Sequence, residues 1–259
     1  MKAKKALGQH FLIDESLSRQ IAYSLQSLPT CKNVLEVGPG KGILTQFLIE
    51  QGFPFKVVEL DKDMVSILIR SFPDLHDSII HLDFLKLDLR QIYNAEPFLL
   101  IGNFPYNIST EIIFKVLDNK ELIPEVIGMF QKEVAYRFIA PHGNKTYGIT
   151  SVLTQAFYHG EKLFDVGPLA FSPPPKVNSA VIRLTRKENP ITCDPKFFKQ
   201  IVKLGFSQRR KMLRNTLKGI VKNPGLFEDK VFTLRPEQLS VADFEALTFK
   251  IQESNESGS

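Results

Sequence analysis

The sequence predicts an α/β protein: a mostly parallel sheet flanked by helices, followed by a small C-terminal all-α domain. Three observations carry this. Strand-like and helix-like runs alternate from Asn33 to Thr185, the pattern left when helices connect parallel strands. The first apolar, β-branched run, ending at Val37, empties into a glycine-rich turn before a helical pattern. Beyond Thr185 the alternation stops, and after Asn189-Pro190 and Asp194-Pro195 only helical spacing remains. At roughly 100–200 residues per domain, a chain of 259 residues has room for two, and the change of pattern places them at 1–187 and 188–259.

The elements follow in order. Asp14–Leu28 carries Leu17, Ile21, Leu25 and Leu28 at helical spacing behind an acidic first turn. Asn33–Val37 reads as a strand, and Ile43–Gln51 as a helix closed by Gly52. Phe55–Leu60 is the next strand, Lys62–Ser71 a helix, Ser78–Leu82 a strand, and Phe98–Gly102 an apolar run of buried-strand type. Ser109–Asp118 is a helix with Ser109 as its cap. Then come a strand at Val126–Phe130, helices at Glu133–Ile139 and Ile149–Tyr158, and strands at Lys162–Val166 and Ala180–Thr185. The second domain offers helices over Lys196–Gly205, Gln208–Val221 and Pro236–Ile251, with a polar tail at Glu253–Ser259.

Composition narrows the class. Apolar residues make up 43% and charged residues 24%, which is ordinary for a packed domain and excludes bulk disorder. No apolar run approaches the ~18 residues needed to cross a bilayer, and the basic N-terminus has no apolar stretch behind it. A cytoplasmic protein without membrane contact is therefore expected. Two distant cysteines, Cys31 and Cys193, exclude a disulfide scaffold and a cysteine-based zinc site, and no metal is expected. The net charge is +5, but Lys196–Lys222 holds nine Lys/Arg and no acid, so the remainder carries a net −4. Such a cluster is the electrostatic footprint of a polyanion partner. A solvated helix face is the plain alternative. Against it, Arg210, Arg214, Lys218 and Lys222 stand at i, i+4 intervals, where like charges on a helix repel by roughly 0.2–0.5 kcal/mol per pair.

The stretch Val34-Leu35-Glu36-Val37-Gly38-Pro39-Gly40-Lys41-Gly42 reads as strand, glycine turn, helix. Glycines serve where a backbone turns sharply and approaches a ligand closely. The next strand ends at Glu59, 21 residues after Gly38, where a carboxylate accepts both hydroxyls of an adenosine ribose. Two details disfavour a dinucleotide: the loop is GxGxG rather than GxGxxG, and Glu36 would set a negative charge near a pyrophosphate. The layout resembles class I S-adenosylmethionine-dependent methyltransferases, a Rossmann-like fold. Asp83, ending the third strand, is placed to accept an adenine amine; taken alone, a loop-capping Asp is as good a reading.

Asn103-Phe104-Pro105-Tyr106 follows the strand Phe98–Gly102. It resembles the Asn/Asp-Pro-Pro-Tyr-type motif of amino methyltransferases. An exocyclic adenine amine is conjugated with its ring and is a poor nucleophile. The Asn103 side-chain carbonyl and the Pro105 backbone carbonyl supply two acceptors for its hydrogens, which favours a pyramidal nitrogen and aims its lone pair. Tyr106 supplies a stacking face for an extruded base.

Four motifs then coincide: Gly8-Gln9-His10-Phe11-Leu12, Glu36–Thr45, Asn103–Asn107, and Phe171-Ser172-Pro173-Pro174-Pro175-Lys176-Val177-Asn178-Ser179. Together with the basic Phe206–Lys211 they resemble the ribosomal RNA adenine dimethyltransferase family along nearly the whole chain, and within it the bacterial small-subunit type. The resemblance implies S-adenosylmethionine as cofactor, held by Gln9, His10, Leu12, Gly38, Gly40, Glu59, Asp83, Phe84 and Asn103. It implies catalysis by Asn103, Pro105 and Tyr106, with Phe171 stacking on the target adenine opposite Tyr106. The substrate it implies is 16S rRNA in the pre-30S subunit, dimethylated at two adjacent adenosines of the 3′-terminal hairpin loop, with a monomeric enzyme. Arg209, Arg210, Lys211 and Arg214 are the expected RNA contacts. Lys2, Lys4 and Lys5 form a basic arm that either touches RNA phosphates or is a solvated end. His10 stands where the family often has Asn, and Phe104 where it often has Leu. The rival readings are a large-subunit rRNA adenine methyltransferase of the antibiotic-resistance type and an RNA-binding assembly factor with secondary catalysis.

Overall fold

A computed structural model describes residues 9–257. The basic arm at Lys2, Lys4 and Lys5, the glycine that opens the Gly8–Leu12 motif, and the end of the polar tail lie outside the described residues. The strands are β1 (Phe11–Leu12), β2 (Val34–Val37), β3 (Phe55–Glu59), β4 (Ile79–His81), β5 (Leu99–Asn103), β6 (Glu125–Gln131), β7 (Tyr158–Val166), β8 (Phe171–Ser172) and β9 (Ser179–Arg186). Seven form one sheet in the order β4-β3-β2-β5-β6-β9-β7, while β1 and β8 pair as a separate two-stranded ribbon. The contacts from β4 through β6 are all parallel, and β9 returns antiparallel beside β6. Val34, Leu35, Leu99, Leu100, Ile101, Val126 and Ile127 are fully buried, as in a parallel sheet covered on both faces. From β2 the chain winds outward to β3 and β4, then returns to β5 on the other side of β2. That reversal opens a crevice at the carboxyl ends of β2 and β5.

The helices of this part are α1 (Glu15–Ala22), α2 (Thr45–Ile49), α3 (Lys62–Ser71), α4 (Ser109–Asp118) and the start of α5 (Lys132–Ile139). Asp14 caps α1 by accepting from Leu17 N–H, and Asp61 caps α3 by accepting from Asp63 N–H. Three local expectations are corrected. The helix beginning at Asp14 ends at Ala22 rather than Leu28, because the N–H groups of Gln26 and Ser27 are taken by the Glu125 carboxylate on β6. Ser109 is the first helical residue of α4 and not its cap; its hydroxyl donates to the Tyr106 carbonyl at 3.2 Å. The expected helix to Tyr158 ends at Gln155 as α6 (Ile149–Gln155), and the chain leaves as β7. There the Ala156 and Phe157 carbonyls accept from the Ile191 and Lys187 N–H groups.

Compactness divides the chain into two units. One holds the residues up to Ala135 together with His159–Arg186; the other holds Tyr136–Tyr158 and everything from Lys187. The single cut at 187/188 read from the pattern thus leaves out a segment: 136–158 packs with the C-terminal helices. Besides α6, that unit contains α7 (Pro195–Ser207), α8 (Leu213–Thr216) and α9 (Val241–Ser257). Its core is built on Phe198, Ile201, Val202, Leu213, Leu217, Phe232 and Phe244. Of the expected helix over Gln208–Val221, only the four residues of α8 are helical. Met212 is extended, and the Leu213 N–H donates to the Leu234 carbonyl instead of a helical one. Burial of Leu213 and Leu217 and the adjacent charges of Arg209, Arg210 and Lys211 outweigh the local helical spacing. Arg210, Arg214, Lys218 and Lys222 therefore do not share one helix face.

A buried ionic group ties the N-terminal segment to the sheet. Glu125 is fully buried, and Arg183 Nε lies 3.3 Å from its Oε1. Arg183 also donates to the Ser24 carbonyl at 2.5 Å and pairs with Glu161. Removing Glu125 leaves Arg183 with the more exposed Glu161 as its acid and takes the acceptor from the Gln26 and Ser27 N–H groups; breaking a buried pair costs about 3–5 kcal/mol. Glu125→Ala is expected to lose that much stability in urea denaturation; a loss below about 1 kcal/mol would contradict the assigned role.

Candidate functional site

The crevice is a pocket walled by the loops that follow β2, β3, β4 and β5 and by the segment 9–12. The β2 loop turns through three glycines with positive φ, Gly38 at +68°, Gly40 at +56° and Gly42 at +85°, a conformation that L side chains rarely adopt. A Cβ on Gly40 would also stand 3.0 Å from the Phe11 ring, which lies across the loop. The Lys41 ammonium sits over the same ring, 5.1 Å from its centroid.

Two carboxyls at neighbouring strand ends behave differently. Glu59 accepts from the Gly40 N–H at 3.2 Å and from the Asp61 N–H at 2.8 Å. Burial pushes its pKa up, and these two donors oppose the shift by favouring the charged form. Glu36 is completely buried and, among the described residues, accepts only from the Thr45 hydroxyl, at 2.7 Å. Burial pushes its pKa to about 8, with the Thr45 bond opposing and the nearby Glu59 reinforcing. The sequence reading of Glu36 as a negative charge is thereby corrected: at neutral pH it is mostly protonated.

Beyond the end of β4, Asp83 caps a turn and faces the pocket. Its Oδ1 accepts from Leu85 N–H at 2.9 Å and caps a single 3₁₀ turn, Phe84–Lys86, while the residue lines the pocket. One carboxylate oxygen remains as an acceptor. At the end of β5, Asn103 donates through Nδ2 to the His10 carbonyl at 3.0 Å, which commits its Oδ1 to accepting. The Pro105 carbonyl accepts from Ile108 N–H at 3.2 Å and keeps a second lone pair. Phe104 anchors this turn in the core, 1% exposed and edge-on to Phe130 at 5.2 Å. The Phe at this position fits because Gly128 lies beneath it: a Cβ there would be 2.6 Å from its ring.

Tyr106 is fixed at both ends. Its hydroxyl lies 2.5 Å from the Ser179 hydroxyl, and its ring stacks on His10 with centroids 5.3 Å apart. The His10 Nδ1 lies 2.8 Å from the Pro173 carbonyl; a carbonyl only accepts, so Nδ1 carries the proton. Gln9 donates to Asp61 at 3.0 Å, and Leu12 and Phe84 are buried in the pocket wall. Of the residues expected at the cofactor and catalytic site, Gln9, His10, Leu12, Gly38, Gly40, Glu59, Asp83, Phe84, Asn103, Pro105 and Tyr106 all line this one pocket.

Phe171 does not. It is 2% exposed within the core cluster, on β8 opposite Leu12, so it has no free face for an adenine. The ring that faces Tyr106 is His10. The basic residues belong to the second unit. There Arg210, Lys211 and Arg214 are exposed, while Arg209 is half-buried and donates to the Asn144 carbonyl at 3.2 Å. Sequence reasoning missed Leu60 and Leu82, which line the pocket beside the two acids and are 50% and 52% exposed. Their signal was a large apolar residue next to an acid at a strand end.

The Glu36 shift yields a pH test. A folded-state pKa of about 8, above the ordinary 4.5, means that folding favours the protonated form. Stability from this group is fully present below about pH 4.5 and is lost as pH rises through about 8. Thermal denaturation between about pH 5 and pH 9 should show a falling melting temperature that Glu36→Gln flattens. Parallel curves for the two proteins would show that Glu36 is charged throughout.

Comparison with known proteins agrees with this geometry. The family model described as ribosomal RNA adenine dimethylase matches residues 1–233. A relative named ribosomal RNA small subunit methyltransferase A from Bacteroides fragilis is 53% identical over 256 residues, covering 98% of this chain and 94% of the relative. One of the same name from Cytophaga hutchinsonii is 54% identical over 250 residues, covering 96% of each. Among solved structures, a dimethyladenosine transferase from Plasmodium falciparum superposes with a TM-score of 0.78 at 24% identity, covering 96% of this chain and 98% of that one. The 23S rRNA methyltransferase ErmE superposes with a TM-score of 0.67 at 24% identity, covering 93% and 99%. These two share the fold, a class I methyltransferase sheet. A family model across most of the chain, and relatives half identical along nearly all of it, establish that this chain belongs to the ribosomal RNA adenine dimethylase family and is an rRNA adenine methyltransferase.

Proposed function

We propose that the chain uses S-adenosylmethionine to dimethylate the exocyclic amines of two adjacent adenosines in the 3′-terminal hairpin loop of 16S rRNA. It does so as a monomer, on the small subunit during its assembly in the cytoplasm. The observation that carries this reading is the Asn103 side chain: its Nδ2 is committed to the His10 carbonyl, so its Oδ1 is held as an acceptor in the same pocket as Glu59 and Asp83.

The donor set suits the cofactor. Glu59 offers carboxylate lone pairs to a ribose diol, the second oxygen of Asp83 accepts from an adenine amine, and Leu60 and Leu82 give apolar surface to a flat ring. A largely protonated Glu36 beside the glycine loop adds no fixed charge there at neutral pH. When bound, S-adenosylmethionine supplies an electrophilic methyl group on its sulfonium. Asn103 Oδ1 and the free lone pair of the Pro105 carbonyl hold the two hydrogens of the target amine and orient its lone pair. In each of two rounds the amine nitrogen would take the methyl group as its bond to sulfur breaks, leaving S-adenosylhomocysteine, and would release one proton. Tyr106 supplies the stacking surface for the extruded base, with its plane set by Ser179 and His10. Arg210, Lys211 and Arg214 contribute sequence-independent attraction to rRNA phosphates. Arg209, engaged with Asn144, contributes less.

The test is transfer of labelled methyl groups to unmethylated 30S and 50S particles, with particle binding measured in parallel. Methylation confined to 30S particles is expected; methylation of 50S particles alone would establish the large-subunit reading. Asn103→Ala should lower turnover by about 10²–10³, the range for losing one positioned polar group, while particle binding stays near wild type. Wild-type turnover in Asn103→Ala would remove the assigned active site.

A further inference from the structure

Lys115 lies on α4, two turns beyond the catalytic tetrapeptide, and the proposed chemistry makes no use of it. Its Nζ donates to the Leu85 carbonyl at 2.9 Å and sits 5.7 Å from the Phe84 ring centroid. Phe84 and Leu85 belong to the 3₁₀ turn that Asp83 caps, and all three residues line the pocket. The other end of α4 grows out of the catalytic turn. Ile108 N–H donates to the Pro105 carbonyl at 3.2 Å, and the Ser109 hydroxyl donates to the Tyr106 carbonyl at 3.2 Å. From Ser109 to Lys115 the helix rises only about 9 Å, at ~1.5 Å per residue. One short rigid element therefore carries the amine-holding turn at one end and a cationic clamp on the Asp83 loop at the other.

The clamp is electrostatically consistent. A 3₁₀ turn this short leaves its last carbonyls without helical partners, and an ammonium at that end opposes their partial negative charge. Desolvation pulls the Lys115 pKa below its ordinary value, while Asp88, Asp83 and Asp118 act in the opposite direction.

We infer that Lys115 is a positioning residue for adenine recognition: it fixes the 83–86 turn to α4 so that the free Asp83 oxygen stands at a set place relative to Asn103. This rests on the reading that Asp83 accepts the adenine amine. A residue that merely stabilised the pocket would affect all nucleoside ligands alike. One that places Asp83 affects only those carrying the amine, because the 6-keto group of inosine has no exocyclic N–H to donate and offers Asp83 a lone pair instead.

Calorimetry with S-adenosylhomocysteine and S-inosylhomocysteine separates these cases without any turnover. Wild type should prefer the adenosyl ligand. Lys115→Met, which keeps an unbranched stem against Phe84, should bind the adenosyl ligand roughly tenfold more weakly and the inosyl ligand about as before, so the preference shrinks. Lys115→Arg, which keeps the donor, should restore most of it. Equal weakening of both ligands, or an unchanged preference in Lys115→Met, would overturn the inference while leaving the Asp83 reading intact. No preference in wild type would instead show that Asp83 does not read the amine, and the inference would fall with it.

Discussion

Glu59 holds the pocket together through two hydrogen bonds to backbone. It accepts from Gly40, in the loop after β2, and from Asp61, at the start of α3. A carboxylate this buried needs such donors to remain tolerable in its charged form. The loop, in turn, can aim the Gly40 N–H inward only because its glycines adopt left-handed conformations. The next contacts depend on these: Asp61, whose own N–H is fixed by Glu59, receives Gln9, and the Phe11 ring lies against Gly40. The N-terminal strap thus joins a site whose first fixed point is a carboxylate at the end of β3.

Glu36 has the same side chain, its pKa raised by burial in the same direction but with less hydrogen bonding to oppose the shift. It lies on the neighbouring strand and, among the described residues, has a single hydroxyl donor and no backbone N–H, and burial drives it toward the neutral form. Burial raises both carboxyls, and the number of donors to each sets how strongly that rise is opposed, since both are close to fully buried. The glycine loop accordingly runs between one acid supported in its charged form and one held mostly protonated.

Much of the fold was legible because its signals are local. Parallel strands covered on both faces read as continuous apolar runs, and helices as apolar residues at helical spacing. Glu59, Asp83 and Asn103 were legible for the same reason, since each ends or follows a strand and the parallel sheet gathers those ends, whereas Gln9, His10 and Leu12 came through the family resemblance alone. What failed was decided at a distance. The end of α1 is set by Glu125, 99 residues from Gln26. The basic segment is held open by Leu234 and by the burial of Leu213 and Leu217, which helical spacing does not reveal. Phe171 was drawn to the site by its motif, yet its pairing with Leu12 turns it into the core. Residues 136–158 continue the first domain in pattern while packing with the second.

Glu59 organises the cofactor pocket through its two backbone donors, and Glu59→Gln tests this most directly. An amide has one acceptor oxygen to offer two converging N–H groups, and its NH₂ opposes the other. Calorimetric titration with S-adenosylmethionine should show binding weaker by about 1.5–3 kcal/mol, the scale of hydrogen bonds to a charged group. Wild-type affinity in a folded Glu59→Gln protein would contradict the account.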